Sequence, residues 1–424
     1  MIVLEFIFYN IISIGLFCLT TNMVRYKDTH MPVVCYAAGI VILEIAVVLI
    51  YCLTTKSDRK KLNRRALVAV AVLINCGMAV NYKSLDASEK ISFGDMYISD
   101  LIPMIIGGVT TYIVVRYTNI YKNRSLNIAG MILLPLLPFI ARLTGREIYG
   151  SYLYIGPFMV FAVAIFIYVF VAGYFMSQSE KSFFQGTVNR LSWQMLLFLG
   201  YNMLLFMGCV VINEFGLLFI LAITASLLFF IRSKDTAAKL VYTGMCVAAA
   251  GIAAACVPHI RTRIKIWLDP AANAKGIEEQ AESVLYLFRR IKQIGWWGES
   301  SSLSSAIYPT RTTDHVLIYI LNDYSILLAL AVVLICIALV RYMFILPKQA
   351  VAYDRYLSFA CGLVVCLIVG INVASELGSF MTSGIGLPFV SEGSSTNMML
   401  IMLVAIHAAL LNKYDNCKSS IIYE

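Results

Sequence analysis

The chain has 424 residues, of which 60% are A, V, I, L, M, F, W, Y or C and 13% are charged. Water-soluble globular proteins are nearer half apolar and a quarter charged, so that class is excluded, and the length leaves room for about a dozen bilayer crossings of roughly 20 residues each. The net charge of +9 comes from short Lys and Arg clusters between apolar runs, the pattern of topology signals rather than of a nucleic-acid surface.

The first apolar run, from Ile2 to about Thr21, has no basic n-region before it and no small-residue cleavage site after it, so it reads as a retained first helix. Taken in order, apolar runs bounded by charges or turn residues predict twelve helices, at about 2–22, 33–54, 66–82, 101–118, 127–143, 153–176, 191–211, 215–231, 239–258, 315–341, 356–377 and 394–412. Unpaired backbone groups in hydrocarbon cost several kcal/mol each, and no segment alternates with the two-residue period of a barrel, so the expected fold is all-α and polytopic. Ten of the eleven cysteines fall in or at the ends of apolar runs and the last, Cys417, lies in the tail. That placement indicates neither a disulfide framework nor a zinc site.

Orientation follows from charge. Residues 56–65 carry six basic side chains against one acidic, and residues 83–100 carry four acidic against two basic. The first segment is therefore expected in the cytoplasm and the second outside, which puts both termini in the cytoplasm. By the same parity the long loop over 259–313 is extracytoplasmic, although it holds eight basic and five acidic residues. Long loops translocate largely regardless of charge, so its cations invite another use. Within it, Val284, Leu285, Leu287, Phe288 and Ile291 stand close to helical spacing and predict an amphipathic interfacial helix, or equally a packed surface helix with no further role.

Three stretches carry a family resemblance. TSGIGLPFVSEGSS (Thr382 to Ser395) resembles the TGIPLPFISYGGSS signature of the SEDS family (shape, elongation, division and sporulation), whose members include RodA, FtsW and SpoVE, with Asn372 upstream where the family has an Asn. RTTDHVLIYILNDYS (Arg311 to Ser325) is similar to the family's HTDFIFAVIGEEFG: Thr313 and Asp314 match, Asp323 replaces the second Glu, and Asn322 and Ser325 depart. RIKIWLDP (Arg263 to Pro270) followed by IGWWGES resembles the family's outer loop. Weaker likeness runs from about Arg65 to the end, which implies a ten-helix domain over 65–424 preceded, over 1–64, by two extra helices and a basic loop. INEFG (Ile212 to Gly216) sits where the family has QPDLG, with Glu214 for its Asp. After IGPF (Ile155 to Phe158) the family continues with QPSE and a Lys, whereas here those charged positions are Ala164 and Ile167.

The resemblance implies an inverting glycosyltransferase in a bacterial cytoplasmic membrane. It would join lipid II to an undecaprenyl-pyrophosphate-linked glycan beside a class B penicillin-binding protein. A sugar hydroxyl is a poor nucleophile and needs a base within hydrogen-bond reach. Asp314, at the outer mouth of a helix, is the expected catalytic residue; read without the resemblance, Thr312, Thr313 and Asp314 are as well explained as helix caps. Departure of a pyrophosphate is eased by cations, for which the expected set is Arg261, Arg263, Lys265, Arg289, Arg290 and Lys292, anionic headgroups being their other use. No metal-ligand cluster stands out; Mg²⁺ is the ion such a leaving group would take. Asp323 follows Asp314 by nine residues, about 14 Å along a helix and half a turn round it, so it is expected to bond Asn372 or a Ser rather than to pair with Asp314. Glu214 and Glu376 at outer helix ends are expected to line the cavity. His315 and His407 read as packing residues, since no His or Cys stands four residues from either. Gly384, Gly386, Pro388, Ser391, Gly393, Ser394 and Ser395 belong to a tight re-entrant loop, tolerated at that depth only where it is buried or lines a cavity.

Three other readings stay open on sequence. Loss of charge at Ala164 and Ile167 suits a catalytically degenerate scaffold for a transpeptidase. An O-antigen ligase or polysaccharide polymerase shares the helix number and the large loop, but not LPFVSEGSS. A flippase would carry its charges along a path through the membrane, and here they gather at the outer face.

Overall fold

The structure, a computed structural model, describes residues 59–84, 93–256, 261–268, 312–380 and 384–415, less 149–150, 157, 179–186, 189–190, 234–235, 262–263, 266, 324–325 and 348. The helices expected over 2–22 and 33–54 lie outside the described residues, as do most of the 259–313 loop and Arg263, Arg289, Arg290 and Lys292.

Eleven α-helices are described: α1 (Arg59–Ser84), α2 (Phe93–Tyr117), α3 (Arg124–Thr144), α4 (Val160–Ser177), α5 (Trp193–Val211), α6 (Phe215–Arg232), α7 (Thr236–Cys256), α8 (Val316–Asp323), α9 (Ile326–Met343), α10 (Ala352–Glu376) and α11 (Ser394–Asp415). Six are long and apolar enough to cross a membrane: α3, α4, α6, α9, α10 and α11. Leu, Ile, Val, Phe and Ala dominate them, so in lipid each satisfies its backbone internally while exposing side chains the bilayer accepts. Ends follow local chemistry. Asn123 caps α3 by accepting the Ser125 N–H at 2.9 Å, the usual service of an Asn at that position.

One expectation is corrected. The helix foreseen over 153–176 begins at Val160; before it runs an antiparallel sheet of β1 (Arg146–Ile148), β2 (Ser151–Ile155) and β3 (Phe158–Met159), with Tyr154 opposite both Arg146 and Met159. The turn from β2 to β3 passes through Gly156 at φ +58°, a left-handed conformation that Gly adopts without steric cost. A second pair, β4 (Thr187–Val188) and β5 (Leu191–Ser192), is also antiparallel. The all-α class therefore holds for the bulk of the described chain, with these two small sheets added. The stretch expected as a helix over 315–341 is described over α8 and α9, with 324–325 outside the described residues.

The chain divides into two compact units, one drawn from residues 1–103, 265–342 and 368–397, the other from 104–264, 343–367 and 398–424. Within the second, α3 packs on α4 and α5, and α5 on α6. Ile165, Val169, Leu221, Leu228, Phe229, Leu357, Leu403 and Ala409 are among its fully buried apolar side chains, and Tyr168 donates to Asn202 Oδ1 at 2.9 Å between α4 and α5. His407, expected as a packing residue, is fully buried there and shares a 2.8 Å hydrogen bond through Nδ1 with Ser358 Oγ. The first unit has Leu73, Ile74, Val80, Ile318, Ile320 and Val390 in its core, and it holds the candidate site.

Candidate active site

The last turns of α10 carry two polar side chains one turn apart, Asn372 and Glu376, both buried to within 1% of full burial. Asn372 donates from Nδ2 to the carbonyl oxygens of Asp314 (3.1 Å) and Ile385 (2.8 Å). One amide thus joins the turn before α8 to the Gly-rich loop. Glu376 accepts the Ile318 N–H on Oε2 at 2.7 Å, in the first turn of α8, where N–H groups have no partner within the helix. The first bond inside α8 runs from the Tyr319 N–H to the His315 carbonyl at 3.1 Å, so His315, itself buried, holds the N-cap position. Asp314 stands one residue before it.

The Gly-rich loop is held by its own side chains. Ser391 Oγ accepts the Leu387 N–H at 2.7 Å, Asn397 Oδ1 accepts the Phe389 N–H at 2.9 Å, and Asn397 Nδ2 donates to the Ser391 carbonyl at 2.9 Å. Phe389 is held at φ 65°, a conformation costly for a bulky residue and here locked by those bonds. Asn81 of α1 reaches the Val390 carbonyl at 3.4 Å. At the far end of the loop Glu392 grips the Asp314 turn twice: its N–H donates to the Thr312 carbonyl at 2.7 Å, and its Oε2 accepts from Thr312 Oγ1 at 2.8 Å.

These anchors bring Asp314 against Gly384. A β-carbon placed on Gly384, which has φ +68°, would lie 3.9 Å from Asp314 Oδ2. Gly384 is exposed and Asp314 is half-buried, so the carboxylate stands at the surface of this unit. Gly386 serves closeness. A β-carbon there would meet Ser391 Cβ at 2.6 Å and the Thr313 carbonyl at 3.1 Å, so the loop and the turn approach as they do only because the side chain is absent.

Of the residues singled out from sequence, Thr313, Asp314, Asn372, Gly384, Gly386, Pro388, Ser391, Gly393, Ser394 and Ser395 belong to this one unit. Pro388 and Ser391 are buried, and Ser394 and Ser395 open α11. Asp323 ends α8, and its side chain lies outside the described residues. Asn372, one of the partners expected for it, donates its amide to the carbonyls of Asp314 and Ile385. Glu214 belongs to the other unit, where it is the N-cap residue of α6 and its N–H donates to the Cys209 carbonyl at 2.9 Å. Arg261 and Lys265 are exposed. Close by in the chain, Trp267 Nε1 donates to the Gly378 carbonyl at 3.2 Å, which joins the segment after α7 to the chain just past α10. Sequence reading missed Glu376 as an anchor of α8; its only signal was the four-residue spacing from Asn372.

The profile of a family described as "Cell cycle protein" and covering FtsW, RodA and SpoVE matches residues 64–415. The chain belongs to this family. Among its relatives is a "Probable peptidoglycan glycosyltransferase FtsW" of Hydrogenovibrio crunogenus, 26% identical over 378 residues that cover 83% of this chain and 92% of the relative. Another protein of the same description, from Alcanivorax borkumensis, is 27% identical over 201 residues, and there the match spans 46% of this chain and 51% of the relative. The fold resembles a chain from the structure titled "Structural coordination of polymerization and crosslinking by a peptidoglycan synthase complex" (TM-score 0.63, 14% identity, 82% of this chain and 96% of that one). It also resembles the rod shape determining protein RodA of Thermus thermophilus (TM-score 0.51, 13% identity, 83% and 96%). With its six apolar helices, this member of the FtsW, RodA and SpoVE family is an integral membrane protein.

Proposed function

We propose that this chain polymerises lipid II into peptidoglycan glycan strands at the outer face of the bacterial cytoplasmic membrane, with Asp314 as the general base. The observation that carries the reading is the placing of a half-buried carboxylate beside an exposed glycine, on a turn gripped by Asn372 and Glu392. Family membership and the names of the FtsW relatives supply the reaction class. The 4-hydroxyl of the incoming lipid II attacks the anomeric carbon of the growing strand with inversion. Its proton passes to Asp314 as the new C–O bond forms, and the bond to undecaprenyl pyrophosphate breaks with both electrons going to the leaving group. A base fixed before the substrate arrives removes an orientational cost that would otherwise fall on the transition state.

In this reading residues 65–424 form the ten-helix catalytic domain, 1–64 add two further helices, both termini are cytoplasmic and the 259–313 loop is outside. A cysteine introduced at Ser301 is expected to react with an impermeant maleimide in intact cells; reaction only after permeabilisation overturns the topology. Arg261, Arg263, Lys265, Arg289, Arg290 and Lys292 would meet the pyrophosphate. Replacing Arg261 and Arg263 together by Gln is expected to weaken lipid II binding several-fold at low salt and less at high salt, as for direct charge contacts. Binding unchanged across ionic strength assigns them to topology or to headgroups.

The partner we propose is a class B penicillin-binding protein. Purified chain is incubated with lipid II, alone and with that partner, and the glycan products are separated on a gel; ladders of strands support the enzyme. A second reading has its own observation: Ala164, where the family motif has a Glu, is an apolar side chain fully buried in α4. No product under either condition, with the partner still bound, makes the chain a scaffold.

A further inference from the structure

We propose that Glu376 is a positioning residue for Asp314, acting through the first turn of α8; the proposal rests on the reading of Asp314 as base. The geometry is in register. Asn372 and Glu376, four residues apart on α10, grip Asp314 and Ile318, four residues apart on the segment that opens α8. Residues at that spacing share a helix face and stand about 6 Å apart along the axis, so two contacts fix both the height and the rotation of the turn that carries Asp314. Glu392 holds the same turn from its other side, at Thr312, so Glu376 is the contact that fixes its α8 end. Asn372 donates to carbonyls and Glu376 accepts an N–H, so the two contacts are different in kind.

Burial marks the acid as placed for a purpose. The positions of α10 below it include Leu363, Val364, Val365, Ile368, Val369 and Ile371, all buried and apolar. A carboxylate buried among them costs far more than another Val or Leu would. It stands where α10 meets the N-terminus of α8, and there the Ile318 N–H repays part of that cost. Among the described residues neither Glu376 Oε1 nor Asn372 Oδ1 has a hydrogen-bond partner. A displacement of about 1 Å in a reacting group can cost around 100-fold in rate, and without Glu376 the α8 end of the turn loses its anchor while Asn372 and Glu392 still hold the other end.

The test compares Glu376→Gln, Glu376→Ala and Asp314→Asn in the lipid II polymerisation assay with the partner present. Gln keeps an oxygen that accepts the Ile318 N–H, so Glu376→Gln is expected to stay within about threefold of the native kcat, whereas Glu376→Ala falls about 10- to 100-fold in kcat with KM little changed. Hydrogen exchange over residues 315–320 is expected to quicken in the Ala variant and not in the Gln variant. If Glu376→Ala works at the native rate while Asp314→Asn is inactive, positioning is overturned and the base assignment stands. If Asp314→Asn works at the native rate, the base assignment falls and positioning with it. A Gln variant as slow as the Ala variant means that the charge matters rather than the anchored N–H. An Ala variant that no longer folds while the Gln variant does makes Glu376 a general stability element. Either of these last two results overturns the proposal.

Discussion

Asp314→Asn is expected to lower lipid II polymerisation by about 10²- to 10⁴-fold, the usual loss when a general base is removed, while lipid II binding and partner association persist. The substitution preserves shape, and the anchors around the turn do not need the acid: Asn372 bonds the backbone carbonyl of Asp314, Glu392 bonds Thr312, and Glu376 meets the Ile318 N–H. Asn also serves helix N-termini about as well as Asp. An amide, however, cannot take a sugar proton at neutral pH. Gel separation of the glycan products beside a binding assay with the same preparation reads the two effects apart. Polymerisation at the native rate makes Asp314 a structural residue of the α8 entrance and returns the catalytic assignment to zero.

How much of this was legible beforehand depends on the range of the interaction. Apolar runs of bilayer length announce themselves, and α3, α5, α6, α10 and α11 begin and end within a few residues of the expected bounds. The hairpin before α4 did not announce itself: Tyr152, Leu153, Tyr154 and Ile155 lead towards a helical run with too few residues to show a two-residue period. The turn at Gly156 joins β2 to β3, and α4 follows β3 directly. For the site, Asp314 and Gly384 were linked by resemblance alone, since 70 positions separate them by number and no local pattern joins them. Glu376 was read as an acid at a helix end. Its partner, the Ile318 N–H, is 58 positions away, and a backbone donor leaves no trace in a sequence.

Asp354→Ala is expected to destabilise the second unit by about 3 kcal/mol, the lower end of what breaking a buried ion pair costs. Asp354 is fully buried and accepts from Lys122 Nζ at 2.6 Å, Tyr121 Oη at 3.0 Å and Tyr414 Oη at 2.5 Å. It thereby ties the start of α10 to the short 3₁₀ turn Ile120–Lys122 and to the end of α11. Burial, reinforced by the Asp354 charge, pushes the Tyr121 phenol far above its usual range, so it remains a donor at any working pH. Lys413 Nζ then donates to Tyr121 Oη at 3.1 Å and to Asn119 Oδ1 at 2.9 Å, which joins a second cation to the same cluster. Ala removes the acceptor and leaves an ammonium and two phenols around a small cavity. Lys122 keeps a quarter of its side chain in solvent, and that exposure holds the loss near the lower bound. Asp354→Asn retains an acceptor for the phenols, so its loss is expected to be smaller, and pairing it with Lys122→Met in a double-mutant cycle isolates the ion pair. Thermal unfolding in detergent reads all three variants. A melting temperature unmoved by Asp354→Ala means that the cluster contributes nothing net, its Coulomb gain having been cancelled by the cost of taking the charges out of water.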